Sequence, residues 1–537
     1  MRESTVAGPS PVHGRVNMAL TRHIRPRVLA ACGAMALMLS FAIVPLTSAE
    51  DKSGAGTSTD QTLFPRAYGV LANEKLMYPV DMSDWPIKID SSHQLFVDDY
   101  LLASVSNIKR TVHQATKFSG NPIMADHAEV EGSGPLFAIV RRDEKTGTFR
   151  MWYTGRIRFT LPSGTSVRFP ALYAESKDGL TWKRPRLGLH EFQGSKANNI
   201  VIPAGNFWGI HVDPHDPNPK RRYKGIVWHE PEFVPREGYF LYTSPDGIHW
   251  TRESRHPIAL SLSGYTIPQT GIGDTSLFRW DRHLGKYVGD VKFVLPGKMR
   301  VRGFMESDDL IHWSRPRMTV APDAVDDTDT QIYSQNSFCY ESMWLGYLRG
   351  MHTERTKGYK QTTVELTASR DGRHWYRVGN REEIIPLGSE AEWDTDYHDP
   401  LWEPVPVGDE LWVYYRSGKI RRDLTRRSDL GLAKFRRDGF VSLDAGEPTG
   451  ILLTRPMSIS GKRLFLNAEV QKGGHITVSV LDRDRKLVTG DSTAIIAGGV
   501  SVPVRWKNSA ELRVPGDGHV RLRFDLKHAR LYSFWIE

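Results

Sequence analysis

Cysteine is nearly absent: Cys32 and Cys339 are the only two in 537 residues. The first lies in an N-terminal stretch that reads as a removable export signal. The mature chain therefore has no intramolecular disulfide, and packing must hold it together. Cys339, between Phe338 and Tyr340, reads as a small buried hydrophobe and not as a nucleophile. Helical periodicity is missing too. Almost no stretch repeats its apolar residues every three to four positions, which excludes a helical bundle. Long runs of one charge are also scarce. The net charge of +9 is spread along the chain, and Asp423 interrupts the one basic run at 419–427. A nucleic-acid surface is not indicated. The one His-x-x-x-His, His211 to His215, is interrupted by Pro214, which breaks the helix such a ligand pair needs. No cysteine pair stands at ligand spacing, so no dedicated zinc site is read and no metal ligands are assigned.

What is present begins with the N-terminus. Arg22, Arg25 and Arg27 precede an apolar run at 28–44, and Thr47-Ser48-Ala49 offers small residues for cleavage. Residues 1–49 therefore read as a signal peptide, and the protein is expected to be secreted or periplasmic. A membrane enters only if this segment stays uncleaved as an anchor. Residues 50–92 form a linker and lead-in, Gly/Ser/Thr-rich over 51–60.

The body of the chain is a repeat. Ser176-Lys177-Asp178-Gly179-Leu180-Thr181-Trp182 returns at Ser244–Trp250 and Ser369–Trp375, with a looser copy at Glu306–Trp313. The four tryptophans are 68, 63 and 62 residues apart, the length of a supersecondary unit. Ser-x-Asp-Gly is a tight-turn signal, and the tryptophan packs back on a neighbouring strand, so the motif marks units and carries no chemistry. Each unit also contains a β-hairpin with an aromatic second strand, as in Phe149-Arg150-Met151-Trp152-Tyr153 and Glu410-Leu411-Trp412-Val413-Tyr414-Tyr415. A hairpin plus a strand pair at the turn makes four strands, one propeller blade. Five hairpins, with a degenerate fifth turn at Arg437-Asp438-Gly439-Phe440, predict an all-β chain with a five-bladed β-propeller over 93–445. Short alternating strands over 446–537, separated by turns such as Pro515-Gly516-Asp517-Gly518, predict a C-terminal β-sandwich.

A secreted five-bladed propeller followed by a β-sandwich resembles the invertase, levansucrase and arabinanase superfamily, glycoside hydrolase families 32, 43 and 68. The terminal Leu531-Tyr532-Ser533-Phe534-Trp535 resembles the end of the family 32 C-terminal module. The resemblance covers 93–537 and lies in blade count and domain order. It implies a glycoside hydrolase acting on a polysaccharide or oligosaccharide, furanosidic sugars included. The strings Asn-Asp-Pro-Asn-Gly, Arg-Asp-Pro and Glu-Cys that mark family 32 enzymes do not occur. The site is therefore sought from blade geometry.

Residues just before each innermost strand should line the funnel mouth. Glu131, Asp274, Asp329 and Asp394 are the candidate catalytic acids, since glycoside cleavage needs one acid to protonate the leaving oxygen and a second carboxylate as nucleophile or base. Asp213, His211, Gln331, Tyr333, Trp393, Glu392, Arg156 and Arg349 are candidate substrate-binding residues, with aromatic faces for sugar rings and arginines for hydroxyls or an acidic group. Trp208 and Tyr265 could add further stacking faces. No cofactor is expected. A structural calcium held by His211, His398 and the acids stays open, as do a catalytically silent carbohydrate-binding propeller and a sialidase-like hydrolase. The latter rests on the likeness of the turn motif to a sialidase Asp-box, whose spacing and six blades differ. The expected partner is a carbohydrate, with no nucleic acid, and the oligomeric state is not set. A hydrolase requires two carboxyl groups facing across the funnel, roughly 5–5.5 Å or 6.5–9.5 Å apart.

Overall fold

Five antiparallel sheets follow one another along the chain, each opening on the strand nearest a common axis. In the computed structural model, which describes residues 86–161, 164–229, 237–261, 271–356, 359–419 and 428–537, blade 1 contains Leu136–Arg142, Phe149–Thr154, Ala171–Ser176 and Ile200–Ile202 in order from the axis outward. Blade 2 runs from Asn206–Val212 to Thr251–Arg252, blade 3 from Leu277–Asp281 to Arg317–Val320, and blade 4 from Thr330–Tyr340 to Tyr376–Arg377. Blade 5 holds Tyr397–Pro400, Glu410–Gly418 and Asp429–Arg436, and its outermost strand is Thr116–Lys117, taken from the other end of the chain. The protein is a five-bladed β-propeller, as the repeat predicts.

The turn motif repeats its geometry as faithfully as its sequence. In the first copy the Gly179 N–H donates to the Ser176 hydroxyl at 2.8 Å, and the Leu180 and Thr181 N–H groups donate to Asp178 at 2.9 and 2.8 Å. The same three bonds recur around Ser244 and Asp246, around Ser307 and Asp309, and around Ser369 and Asp371. Positive φ is required at the fourth position, where Gly179, Gly247 and Gly372 sit and Leu310 stands in at φ 68°. Each turn rests on the preceding blade. The indole of Trp152 in blade 1 donates to the Gly247 carbonyl of blade 2, and Tyr414 in blade 5 donates to the Gly179 carbonyl of blade 1.

The fifth turn differs from the expectation. After Arg437–Phe440 the chain does not add a fourth strand to blade 5. It leaves through Val441–Ala445 into an eleven-stranded sheet, and that sheet also takes strands from Ile87–Lys88 to Lys109–Val112. The propeller accordingly begins near Thr116 and not at residue 93, because the pairing partners of 87–112 lie in the C-terminal region. Two 18-residue strands, Leu464–Leu481 and His519–Ile536, form the backbone of this sheet and enclose a core of Leu, Ile, Val and Phe side chains. Both parts belong to one compact unit. Asp438 fastens them: buried at φ 58°, it accepts from the Tyr340 and Ser533 hydroxyls at 2.7 and 2.5 Å and pairs with His93 Nδ1 at 2.7 Å. The signal-peptide expectation for 1–49, Tyr265 and most of the basic run at 419–427 lie outside the described residues.

The turn geometry makes a test. Gly247 has φ +82°, and an added Cβ would stand 2.8 Å from the Trp152 ring, whereas Gly285, at φ +62°, would meet nothing within 4 Å. Both alanine variants incur the left-handed backbone cost of about 1–2 kcal/mol. Gly247→Ala adds overpacking of about 1–3 kcal/mol. Urea midpoints should show it to be the more destabilised of the two.

Candidate functional site

Antiparallel pairing fixes which ends of the strands meet at the funnel. First strands run away from it, second strands return, and third strands run away again. A cavity of about 420 Å³ opens where all these ends converge. Its wall includes Leu136, Phe137, Asn206, Trp208, Tyr333 and Tyr397 near the starts of first strands. Trp228, Arg349, Met351 and Arg416 come from the funnel halves of second strands, and Thr362 and Ser428 from the starts of third strands. Arg156, Arg158 and Phe169 come from the excursion between the second and third strands of blade 1, and Asp274 from the approach to blade 3.

Six aromatic rings line this space: Phe137, Phe169, Trp208, Trp228, Tyr333 and Tyr397. The Tyr333 ring is itself a cation platform, with the Arg349 guanidinium 4.4 Å and the Lys292 ammonium 5.2 Å from its centre. Asp274 is the one carboxylate among the described wall residues, and its side chain is 55% exposed into the cavity. Burial pushes its pKa up, but the ion pair and hydrogen bond with Lys292, aided by Arg300, outweigh burial and hold it below the usual carboxylate range. Asp274 is therefore an anion at neutral pH. A second acid, Asp399, lies below the floor, where a smaller cavity is lined by Arg349, Asp399 and Asn336. Both its oxygens are engaged, by Arg349 at 2.5 Å and Arg416 at 2.8 Å.

Of the predicted site residues, the structure brings Asp274, Tyr333, Arg156 and Arg349 together at the cavity, with Trp208 beside them. The others are elsewhere, each for a readable reason. His211 and Asp213 end the first strand of blade 2, about 16 Å from its funnel end at ~3.3 Å per residue. Asp213 caps the hairpin there, accepting from the His215 N–H at 3.0 Å and pairing with Lys224 at 2.8 Å, while His211 stacks on Trp280. Glu131 is fully buried. It accepts from the Tyr153 hydroxyl at 2.5 Å, from Arg184 at 2.6 Å and from the Ala128 N–H at 2.8 Å, so it braces a short 3₁₀ turn. Asp394 is buried behind blade 5, bound to Lys117 at 2.7 Å and to the Tyr415 hydroxyl at 2.9 Å. Trp393 stacks on Tyr415, and exposed Glu392 accepts from the Ser389 N–H. Gln331 accepts from Arg300 behind the Tyr333 ring.

Asp329 lies just ahead of the first strand of blade 4, 3.7 Å from His352 Nδ1. One ligand atom each from Asp327, Asp329 and His352 lie within 4.8 Å of one another, as do those of His93, Glu341 and Asp438. Either trio could hold a metal ion by geometry. The His93 trio already satisfies itself through hydrogen bonds.

Sequence reasoning missed Arg416, Phe137, Tyr397 and Lys292, yet a signal existed. Trp152-Tyr-Thr-Gly-Arg156, Trp344-Leu-Gly-Tyr-Leu-Arg349 and Trp412-Val-Tyr-Tyr-Arg416 place an arginine four or five residues after the hairpin tryptophan. In blade 3, Lys292 follows Tyr287 by the same interval.

No family model matches the chain, and no curated protein does. Among solved structures, 62% of the chain aligns with 97% of an N-acetylgalactosamine deacetylase from F. plautii in complex with blood group B trisaccharide, at 13% identity and a TM-score of 0.40. A thermostable family-43 glycoside hydrolase aligns over 57% of this chain and 92% of its own, at 11% identity and a TM-score of 0.40. An exo-β-1,3-galactanase from Phanerochaete chrysosporium aligns over 80% and 100%, at 12% identity and a TM-score of 0.36. The blade count rests on the strand pairing itself.

Two tests follow from the groups now placed in the framework. Glu131→Gln removes the buried charge that faces Arg184 and the Tyr153 hydroxyl, leaving Arg184 only its contacts with exposed Asp126. It should lower stability by about 3 kcal/mol in denaturant melts, the low end for a broken buried pair. The second concerns imidazoles. Burial, with Arg252 nearby, pushes His229 down to about 4 from 6.5, and burial pushes His398 down as well. The unfolded chain binds these protons near pH 6.5 and the folded chain resists them. Stability should therefore fall as pH drops from 6.5 towards 4, by up to about 1.4 kcal/mol per pH unit for each group. A pH series of urea midpoints should show this slope, and His229→Gln should flatten it.

Proposed function

We propose that this protein is a carbohydrate-active propeller of the glycoside hydrolase kind, acting on a polysaccharide or oligosaccharide in the funnel. The observation that supports it most directly is the cavity wall. Flat aromatic faces stack on the apolar sides of sugar rings, while the intervening polar and charged groups reach hydroxyls. Asp274, exposed in that cavity and ionised, is suited to act as the nucleophile, as the base that activates water, or as the group that stabilises positive charge on the ring. A depressed pKa makes it a poor proton donor, so the role of general acid does not fall to it. We also propose export, on the strength of the basic, apolar and small-residue segments at 22–49.

A second reading, a binding propeller without turnover, is favoured by one specific observation. Asp274 is the one carboxylate among the described wall residues, and the acid beneath the floor, Asp399, has both oxygens occupied by arginines, so these two do not form a free carboxyl pair.

The experiment that separates the two is a panel of polysaccharides and aryl glycosides, assayed for reducing ends and for binding. Wild type should cleave at least one member. Asp274→Asn should bind that member with little change and lose about 100-fold or more in kcat/KM, the usual scale for a positioned catalytic carboxylate. Binding without cleavage in wild type would establish the second reading. Equal rates in wild type and Asp274→Asn would remove Asp274 from the chemistry.

A further inference from the structure

The funnel carries more positive charge than a neutral sugar needs. Arg156, Arg158, Arg349 and Arg416 line it against the single carboxylate of Asp274, an excess of three positive charges among the described wall residues. Adding Lys292, which pairs with Asp274, and Asp399, which bridges Arg349 and Arg416, leaves that excess unchanged. The charge is also built in. Four of five blades deliver a cation at the funnel end of the hairpin: Lys292, Arg349 and Arg416 from the second strand itself, and Arg156 two residues beyond the end of the second strand of blade 1.

Two of these arginines are held ready in a way that leaves donors over. The Arg349 side chain is only 4% exposed, lies over the Tyr333 ring, and gives one terminal nitrogen to Asp399. Arg416 sits between the Phe137 and Tyr397 rings and gives another to the same carboxylate. The Nε of each is buried without a hydrogen-bond partner. Two guanidinium groups sharing one carboxylate keep a net positive charge, and the aromatic rings beside them hold them in place. Burying such a charge is costly unless an anion completes it. A planar, preorganised fork is the geometry that carboxylate and sulfate oxygens fit.

We propose that the saccharide accepted by this funnel bears an oxyanion, the carboxylate of a uronic acid or a sulfate ester, seated against Arg349 and Arg416 with Arg156 and Arg158 at the rim. This rests on the carbohydrate reading above and narrows it to acidic glycans. Asp274, on the blade 3 side and paired with Lys292, stays clear of that anion and available to the ring.

The test is calorimetric titration of the whole protein with three oligosaccharide sets: oligogalacturonate for uronate, carrageenan oligosaccharides for sulfate, and xylo-oligosaccharides as neutral controls, each at 50 and 250 mM NaCl. At least one acidic set should bind tenfold or more tightly than the neutral set, and its affinity should fall with salt while neutral binding does not. Whichever acidic set binds identifies the oxyanion. Arg416→Lys keeps the charge beside Asp399 but removes the fork, and Arg158→Gln alters only an exposed side chain. Each should weaken acidic binding tenfold or more, with melting temperature as the check on folding. Neutral binding equal to acidic binding and insensitive to salt would overturn this inference and leave the carbohydrate reading standing. No binding by any set would overturn both.

Discussion

A ring of blades has a defined axis only if its last sheet meets its first, and here that closure depends on a two-residue strand. Thr116 and Lys117 pair with Lys434 and Ala433, so the N-terminal side of the propeller completes the sheet made by its C-terminal side. Asn121 reinforces the seam by donating to the Leu432 carbonyl and accepting from the Leu432 N–H, and Tyr414 bonds across to the turn of blade 1. The cluster around Met124, Met151, Tyr153, Leu401 and Leu432 packs blade 1 on blade 5. Every side chain in the funnel is placed by this closure, because walls contributed by blades 1 and 5 face each other only when the circle is shut.

Within the closed ring, charge is sorted by depth. Acids behind the wall are consumed by structure: Glu131 by Arg184 and Tyr153, Asp394 by Lys117 and Tyr415, Asp399 by two arginines. Asp274 alone among the described wall carboxylates opens to the cavity. Buried carboxylates demand cations, and the cations in turn shape the funnel, so the stability of the blades and the electrostatics of the site come from the same pairs. Asp438 plays the corresponding part at the C-terminal sheet, where one buried carboxylate ties Tyr340 of the propeller to Ser533 and His93.

The blade count was legible in the sequence because the turn is local. Serine and aspartate side chains bond N–H groups two or three residues on, glycine supplies the positive φ, and none of this depends on distant chain. The hairpins were legible for the same reason. Asp274, Tyr333, Arg156 and Arg349 were found by reading back or forward from them. Asp213 and His211 were misplaced because spacing says that a strand starts but not which face its end reaches. Glu131 and Asp394 look like cavity acids in one dimension, and only their partners, Arg184 from 53 residues away and Lys117 from the far side of the seam, show them to be buried braces.

By itself, then, the sequence determined a cysteine-poor, all-β chain of five repeated units with four cations and an aspartate near their inner ends. Those features follow from contacts between near neighbours in the chain. Only the tertiary structure decided that the fifth blade takes its outer strand from Thr116–Lys117, that residues 87–112 join the C-terminal sheet, and that Arg349 and Arg416 share Asp399. Each of these is a long-range pairing, set by which strand edge or buried charge is left unsatisfied once the local units have formed.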